Sequence, residues 1–233
     1  MIRNQALRLA FLTIFTLAGA GATTITYSGV DPNRSFDIWF TASYVTGDQL
    51  LNGQPSPNDQ TIDVNLTAGV ANLLIDGLYL TDAICLDFFT LISNGVYDVN
   101  LLGPDAVSSG TRVAWMLHNT LPTINALADS TEKQMRGAAF QLAVWDIVHD
   151  NGDGFFAGRI RGSAQTDNLV LSYAASYLSS SNGQSQAAGI VYQNVAGSDV
   201  SQLLMSDAPE PSTYAMLLTG GAMLGLWRRR RAS

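Results

Sequence analysis

The chain has 233 residues, a formal net charge of -7, two histidines and a single cysteine. One cysteine excludes an internal disulfide framework, and between residues 21 and 208 the absence of any cluster of basic residues excludes a phosphate-binding surface for nucleic acid or anionic lipid. No zinc-ligand spacing, Gly-rich phosphate loop or Ser/His/Asp ordering is present, so no turnover enzyme is expected and no cofactor is assigned.

The chain begins with a basic patch (Arg3, Arg8), an apolar run from Leu9 to Ala18 and small residues around Ala18, Ala20 and Ala22. This is the layout of a secretory signal peptide over residues 1–22, with signal peptidase as its processing partner. From residue 23 to about 101 the sequence is strand-like: Phe36 to Val45, Thr61 to Leu66 and Leu78 to Phe89 are rich in β-branched and aromatic residues with partial alternation. The only cysteine, Cys85, sits in the last of these runs. Asn52 to Asp59 carries Gly, Pro and Asn and reads as a loop.

Residues 111–150 and 165–179 read as helical. Thr131-Glu132-Lys133-Gln134 has the form of a capping box, and Asn151-Gly152 supplies a stop. Between them Met135, Ala138, Leu142, Trp145 and Val148 form an apolar stripe, and Gln141 lies against it with its amide aimed into or beside the core. Gly137 and Ala138 leave room for a strand to approach. Residues 187–205 return to strand-like sequence. Strands first, helices inserted and a strand last predict an α+β domain over 23–207: a β-sandwich or barrel-like lobe (about 23–101 and 187–205) with an inserted helical lobe (about 111–180).

The chain ends in Pro209-Glu210-Pro211, an apolar stretch from Tyr214 to Trp227 and Arg228 to Arg231. The segment 208–233 resembles the PEP-CTERM sorting signal of Gram-negative bacteria that make exopolysaccharide. That resemblance implies export, transient anchoring in the inner membrane by the apolar stretch, and cutting near Pro209-Glu210-Pro211 by an exosortase. Without the two terminal segments, residues 21–208 hold six basic and eighteen acidic residues, a net charge of -12.

Gln141 and Cys85 leave two readings open. A buried carboxamide must find partners, so Gln141 either bonds a backbone carbonyl beside an ordinary core thiol, or it is consumed by that thiol. The second reading comes from a resemblance: Cys85 on a strand followed by Gln141, Ala143, Val144 and Trp145 on a helix is similar to the Cys–Gln thioester domain (TQxA type) of bacterial surface adhesins. Ala114 to Pro122 resembles the helix that precedes the glutamine helix there, and Phe140 stands where that motif often has Thr. The resemblance implies an internal thioester between Cys85 and Gln141, used once to acylate an amine or hydroxyl on a surface protein or exopolysaccharide. Phe88, Phe89, Phe140 and Trp145 are the expected apolar cover. A noncovalent matrix or polysaccharide-binding protein is the alternative.

His118 and His149 are candidate proton shuttles for an incoming nucleophile. Asp146, His149, Asp150 and Asp153 suggest a metal cluster, and Asp150 to Gly154 is similar to part of a calcium loop. The closing glutamate of that loop is missing. A solvated helix C-terminus is therefore expected there, and no metal is assigned.

Overall fold

The structure, a computed structural model, describes residues 23–43, 61–88, 92–128, 130–195 and 203–208. The expected signal segment, Phe89, and the sorting motif Pro209, Glu210 and Pro211 with its apolar tail lie outside the described residues.

The strands are β1 (Thr23–Ser43), β2 (Thr61–Ile75), β3 (Tyr79–Cys85), β4 (Gly95–Leu102), β5 (Ile160–Arg161), β6 (Gly189–Asn194) and β7 (Leu204–Asp207). Every pairing is antiparallel. The order β2-β3-β7-β6-β4-β1-β5, with a further pairing of β1 to β2, closes six strands into a ring and leaves β5 on the outer half of β1. Closure pairs Ile25–Tyr27 of β1 and Ala71–Ile75 of β2 on both sides, while their outer halves form a two-stranded extension that β5 joins at Thr41 and Ala42.

Alternation sorts the side chains of the ring into two cores. Ile25, Tyr27, Ala71, Leu73, Ala83, Cys85, Val99, Tyr192 and Leu204 form the inner cluster. Their neighbours of opposite parity, including Val70, Ile84, Leu86, Val191 and Met205, join a larger core shared with the helices. The expected α+β architecture, a barrel-like lobe with helices inserted, is the one observed: α1 (Gly110–Asn119), α2 (Leu121–Asn125), α3 (Thr131–Asp150) and α4 (Asn168–Ser181) all fall between β4 and β6.

Helix α3 is the centre of this second core. Its N-cap is Ser130, whose Oγ accepts from the Lys133 N–H, one residue earlier than the capping box read from the sequence. Its stop is Asn151 in the left-handed region (φ 61°), as expected from Asn-Gly. The stripe read from the sequence captures one side only. Every residue from Gly137 to Ile147 is buried, because α3 packs against β1, β2 and α4 at once.

The strand that approaches Gly137 is β1. It shifts register between Tyr27 and Ser35, and the bulged segment carries the Arg34 carbonyl so close to both Gly137 and Gly69 that a Cβ at either position would overlap it. The buried Arg34 guanidinium anchors the bulge: it pairs with Asp82 (2.7 Å) and Asp31 (3.1 Å) and donates to Asn125 (2.8 Å) and Asn72 (2.7 Å).

Candidate functional site

The end of β3 and the middle of α3 meet at Cys85 and Gln141. The Cys85 N–H donates to Gln141 Oε1 at 3.0 Å, and Gln141 Nε2 donates to the Cys85 carbonyl at 2.7 Å. A side-chain amide thus reads both backbone groups of one residue, as a neighbouring strand would. The helix side of β3 can be read this way because β3 is running out at this point: Cys85 pairs with Leu204 on β7, while its pairing with β2 has ended at Ala83. Cys85 is 7% exposed and Gln141 1%.

Both residues line one cavity of about 200 Å³ between the ring and α3. Phe88 and Trp145 close it on the helix side, with ring centroids 5.9 Å apart. Tyr27, Val30, Ile92 and the β2 segment from Leu66 to Gly69 close the rest. Sequence reasoning missed these last residues. Those on β1 and β2 come from strands distant in the chain, Ile92 comes from the loop before β4, and nothing local marks any of them as part of the site.

Of the expected cover, Phe88 and Trp145 are in place. Phe140 is not: it packs edge-on to Tyr177 of α4, with centroids 6.1 Å apart. The reason is helical geometry, since the residue beside Gln141 points about 100° away around the axis. Ala143 and Val144 are fully buried in the helical core and do not line the cavity.

The environment holds the thiol protonated. Burial pushes the Cys85 pKa up to about 12, with the Asp87 charge adding to it. The Tyr27 hydroxyl is pushed up as well, by burial first and then by Cys85. Such a thiol is a poor nucleophile toward outside reagents. The Cys85 N–H polarises the Gln141 carbonyl it binds.

The two histidines part company. His149 sits close to the cavity: its Nε2–H donates to the Leu86 carbonyl at 3.2 Å and its ring stands edge-on to Phe88, centroids 4.9 Å apart. Burial lowers its pKa, so it is neutral at pH 7. His118 lies elsewhere, with Nδ1 2.9 Å from Asp207 Oδ2, in a cavity of about 550 Å³ also lined by Tyr79, Leu80 and Asn125.

Residues 207–231 match the PEP-CTERM protein-sorting motif. No curated protein and no solved structure matches the chain. The motif marks an exported protein that an exosortase sorts after transient anchoring in the membrane. Among the described residues no helix is long and apolar enough to cross a membrane; the apolar stretch of the sorting tail lies outside them.

Proposed function

We propose that Cys85 and Gln141 condense to an internal thioester and that the exported protein uses it once, as an acyl donor, to attach itself covalently to a partner at the cell surface or in the extracellular matrix. The observation that carries this reading is the paired hydrogen bonding of the Gln141 amide to the backbone of the chain's only cysteine.

The chemistry balances without a co-reactant. Cys85 Sγ attacks Gln141 Cδ, the thiol proton passes to the departing NH2, and ammonia leaves. The Cys85 N–H already donates to the oxygen on which negative charge develops, the role of an oxyanion-hole donor. Fixed proximity supplies much of the drive. An amine or hydroxyl of the partner then attacks Cδ, the C–S bond breaks and the proton of the nucleophile returns the thiol. Neutral His149, next to the cavity, is suited to relay that proton. The partner is a nucleophile-bearing surface protein or an exopolysaccharide.

Intact mass tests it. Protein purified at neutral pH without amines is expected to be one ammonia lighter than its processed sequence, and Cys85→Ala is expected to restore the full mass. Methylamine should add its own mass at Gln141 and expose one thiol. Full sequence mass together with a Cys85 that titrates on denaturation leaves the noncovalent reading standing. That second reading has its own support: the Gln141 amide has its partners without any reaction, and the cavity at Tyr79, Leu80 and His118 is a polar and aromatic recess of a size suited to a sugar.

A further inference from the structure

We propose that Asp146, Asp150 and Asp153 form a binding site for a hard divalent cation, Ca2+ by the chemistry of its ligands, at the C-terminal end of α3. Each of the three offers a carboxylate oxygen, and these oxygens lie within 4.8 Å of one another. A single point then lies within about 2.8 Å of all three, close to the ~2.3–2.6 Å of a Ca2+–oxygen bond.

A group of acids at a helix end is commonplace. What sets this one apart is Asp146, which is 0% exposed and has an Oδ1 that accepts no hydrogen bond. Its Oδ2 takes only a long bond, 3.3 Å, from the Gly154 N–H. Buried carboxylates are normally paired, and among the described residues none of the three acids has an ion pair. Arg112 exerts some attraction on Asp146, but its donors go to Ser181 Oγ and to the Leu178 and Asn151 carbonyls. The helix end expected to be solvated is open at Asp150, which is half-buried, and at Asp153, which is exposed, while Asp146 one turn earlier is enclosed.

The surrounding chain is arranged around these carboxylates. Asp150 Oδ2 accepts the N–H groups of Arg159 (2.7 Å) and Ile160 (2.6 Å), which ties the loop after α3 to the start of β5 and leaves Asp150 Oδ1 available. Gly158 sits so near that a Cβ there would come within 2.7 Å of Asp153 Oδ1 and 3.0 Å of the Asp150 carboxyl carbon. His149, grouped with these acids in the sequence, is not part of the set. Asp146 and Asp150 share a face at i and i+4, whereas His149 is turned to the Leu86 carbonyl. Three carboxylates from one helix end and the turn after it supply part of the six to eight oxygens that Ca2+ takes, with waters for the remainder. An exported chain of this acidity would meet Ca2+ outside the cytoplasm, where sites of modest affinity are filled.

The test is titration of the exported protein, stripped with EGTA, against CaCl2 at constant ionic strength. One saturable site is expected with a dissociation constant on the order of 10⁻⁴–10⁻³ M or tighter, and a melting temperature that rises with Ca2+. Asp146→Asn should abolish both effects. Asp153→Asn removes an exposed ligand without touching the core and should weaken binding at least tenfold with the fold intact. Absence of saturable binding up to roughly 10 mM, or equal binding by wild type and Asp153→Asn, would overturn the site. The result is independent of the thioester, since neither Cys85 nor Gln141 contributes a ligand.

Discussion

Gln141 and Asp146 lie about a turn and a half apart on α3, both are fully enclosed, and the fold treats them in opposite ways. Gln141 is matched donor for acceptor by the backbone of Cys85. Asp146 keeps one oxygen without a partner and the other on a long bond. An amide is neutral and can be satisfied by a strand that ends beside it; a carboxylate needs a proton or a cation as well. The difference also bears on chemistry. Loss of ammonia from Gln141 would take away the donor to the Cys85 carbonyl, so a thioester gives up a hydrogen bond worth about 1 kcal/mol in the resting fold.

A third buried polar group shows what full pairing looks like for a charge, and it gives the largest expected effect. Arg34 holds two carboxylates and two amide oxygens while its carbonyl is wedged between Gly69 and Gly137. Arg34→Ala leaves Asp31 and Asp82 facing each other without a cation and loosens the bulge. A loss of about 3–5 kcal/mol is expected, measured by urea unfolding. A loss below about 1 kcal/mol, the range of a surface pair, would mean that the bulge is held by packing alone.

The second effect belongs to Asp146. Burial, with Asp150 and Asp153 adding repulsion, raises its pKa to about 7, against the lowering pull of the Gly154 N–H and Arg112. Between the ordinary carboxyl range near pH 4 and this value, the unfolded chain releases the proton and the folded chain keeps it. Stability therefore falls as pH rises from about 4 to about 7 and is flat with respect to this group above that. The fall is on the order of 4 kcal/mol without divalent cations. Asp146→Asn should remove it, seen as the difference between the pH–stability curves of variant and wild type. Ca2+ should flatten the wild-type curve too. A wild-type curve that tracks the Asn variant without Ca2+ would show that Asp146 is paired after all.

The sequence made some of this legible and hid the rest for identifiable reasons. The strand around Cys85, the helix from 131 to 150 and its Asn-Gly stop were all readable, because each is a local signal: alternation, periodicity, a left-handed cap. The close approach at Gly137 was readable too, though not its partner. Strand β1 was read only from Phe36, since Gly29 to Arg34 has turn composition; in the fold those residues are a bulge between two paired stretches of one strand. The two-residue β5 is too short to leave any pattern. The burial of Asp146 was hidden because an apolar stripe implies a solvated opposite face, and α3 has none in its middle three turns. Tyr27, Val30 and Ile92 at the cavity depend on ring closure, which no local pattern encodes.

The smallest effect on stability separates the two halves of the proposed bond. Gln141→Leu keeps the volume of the side chain in the core but takes the side-chain partners from the buried Cys85 N–H and carbonyl. It should cost about 2–3 kcal/mol. Cys85→Ala deletes one buried sulfur and leaves both backbone hydrogen bonds to Gln141 intact, so about 1 kcal/mol is expected, the ordinary cost of a small truncation. Both variants abolish any thioester, so equilibrium unfolding tells the amide's structural role apart from its chemical one. If Cys85→Ala costs as much as Gln141→Leu, and wild-type protein opened with methylamine unfolds like Cys85→Ala, then the covalent bond rather than the amide pairing holds β3 to α3. If Gln141→Leu costs no more than Cys85→Ala and both are near zero, the seam between β3 and α3 is carried by the apolar packing of Ile84, Leu86, Phe88 and Trp145 alone.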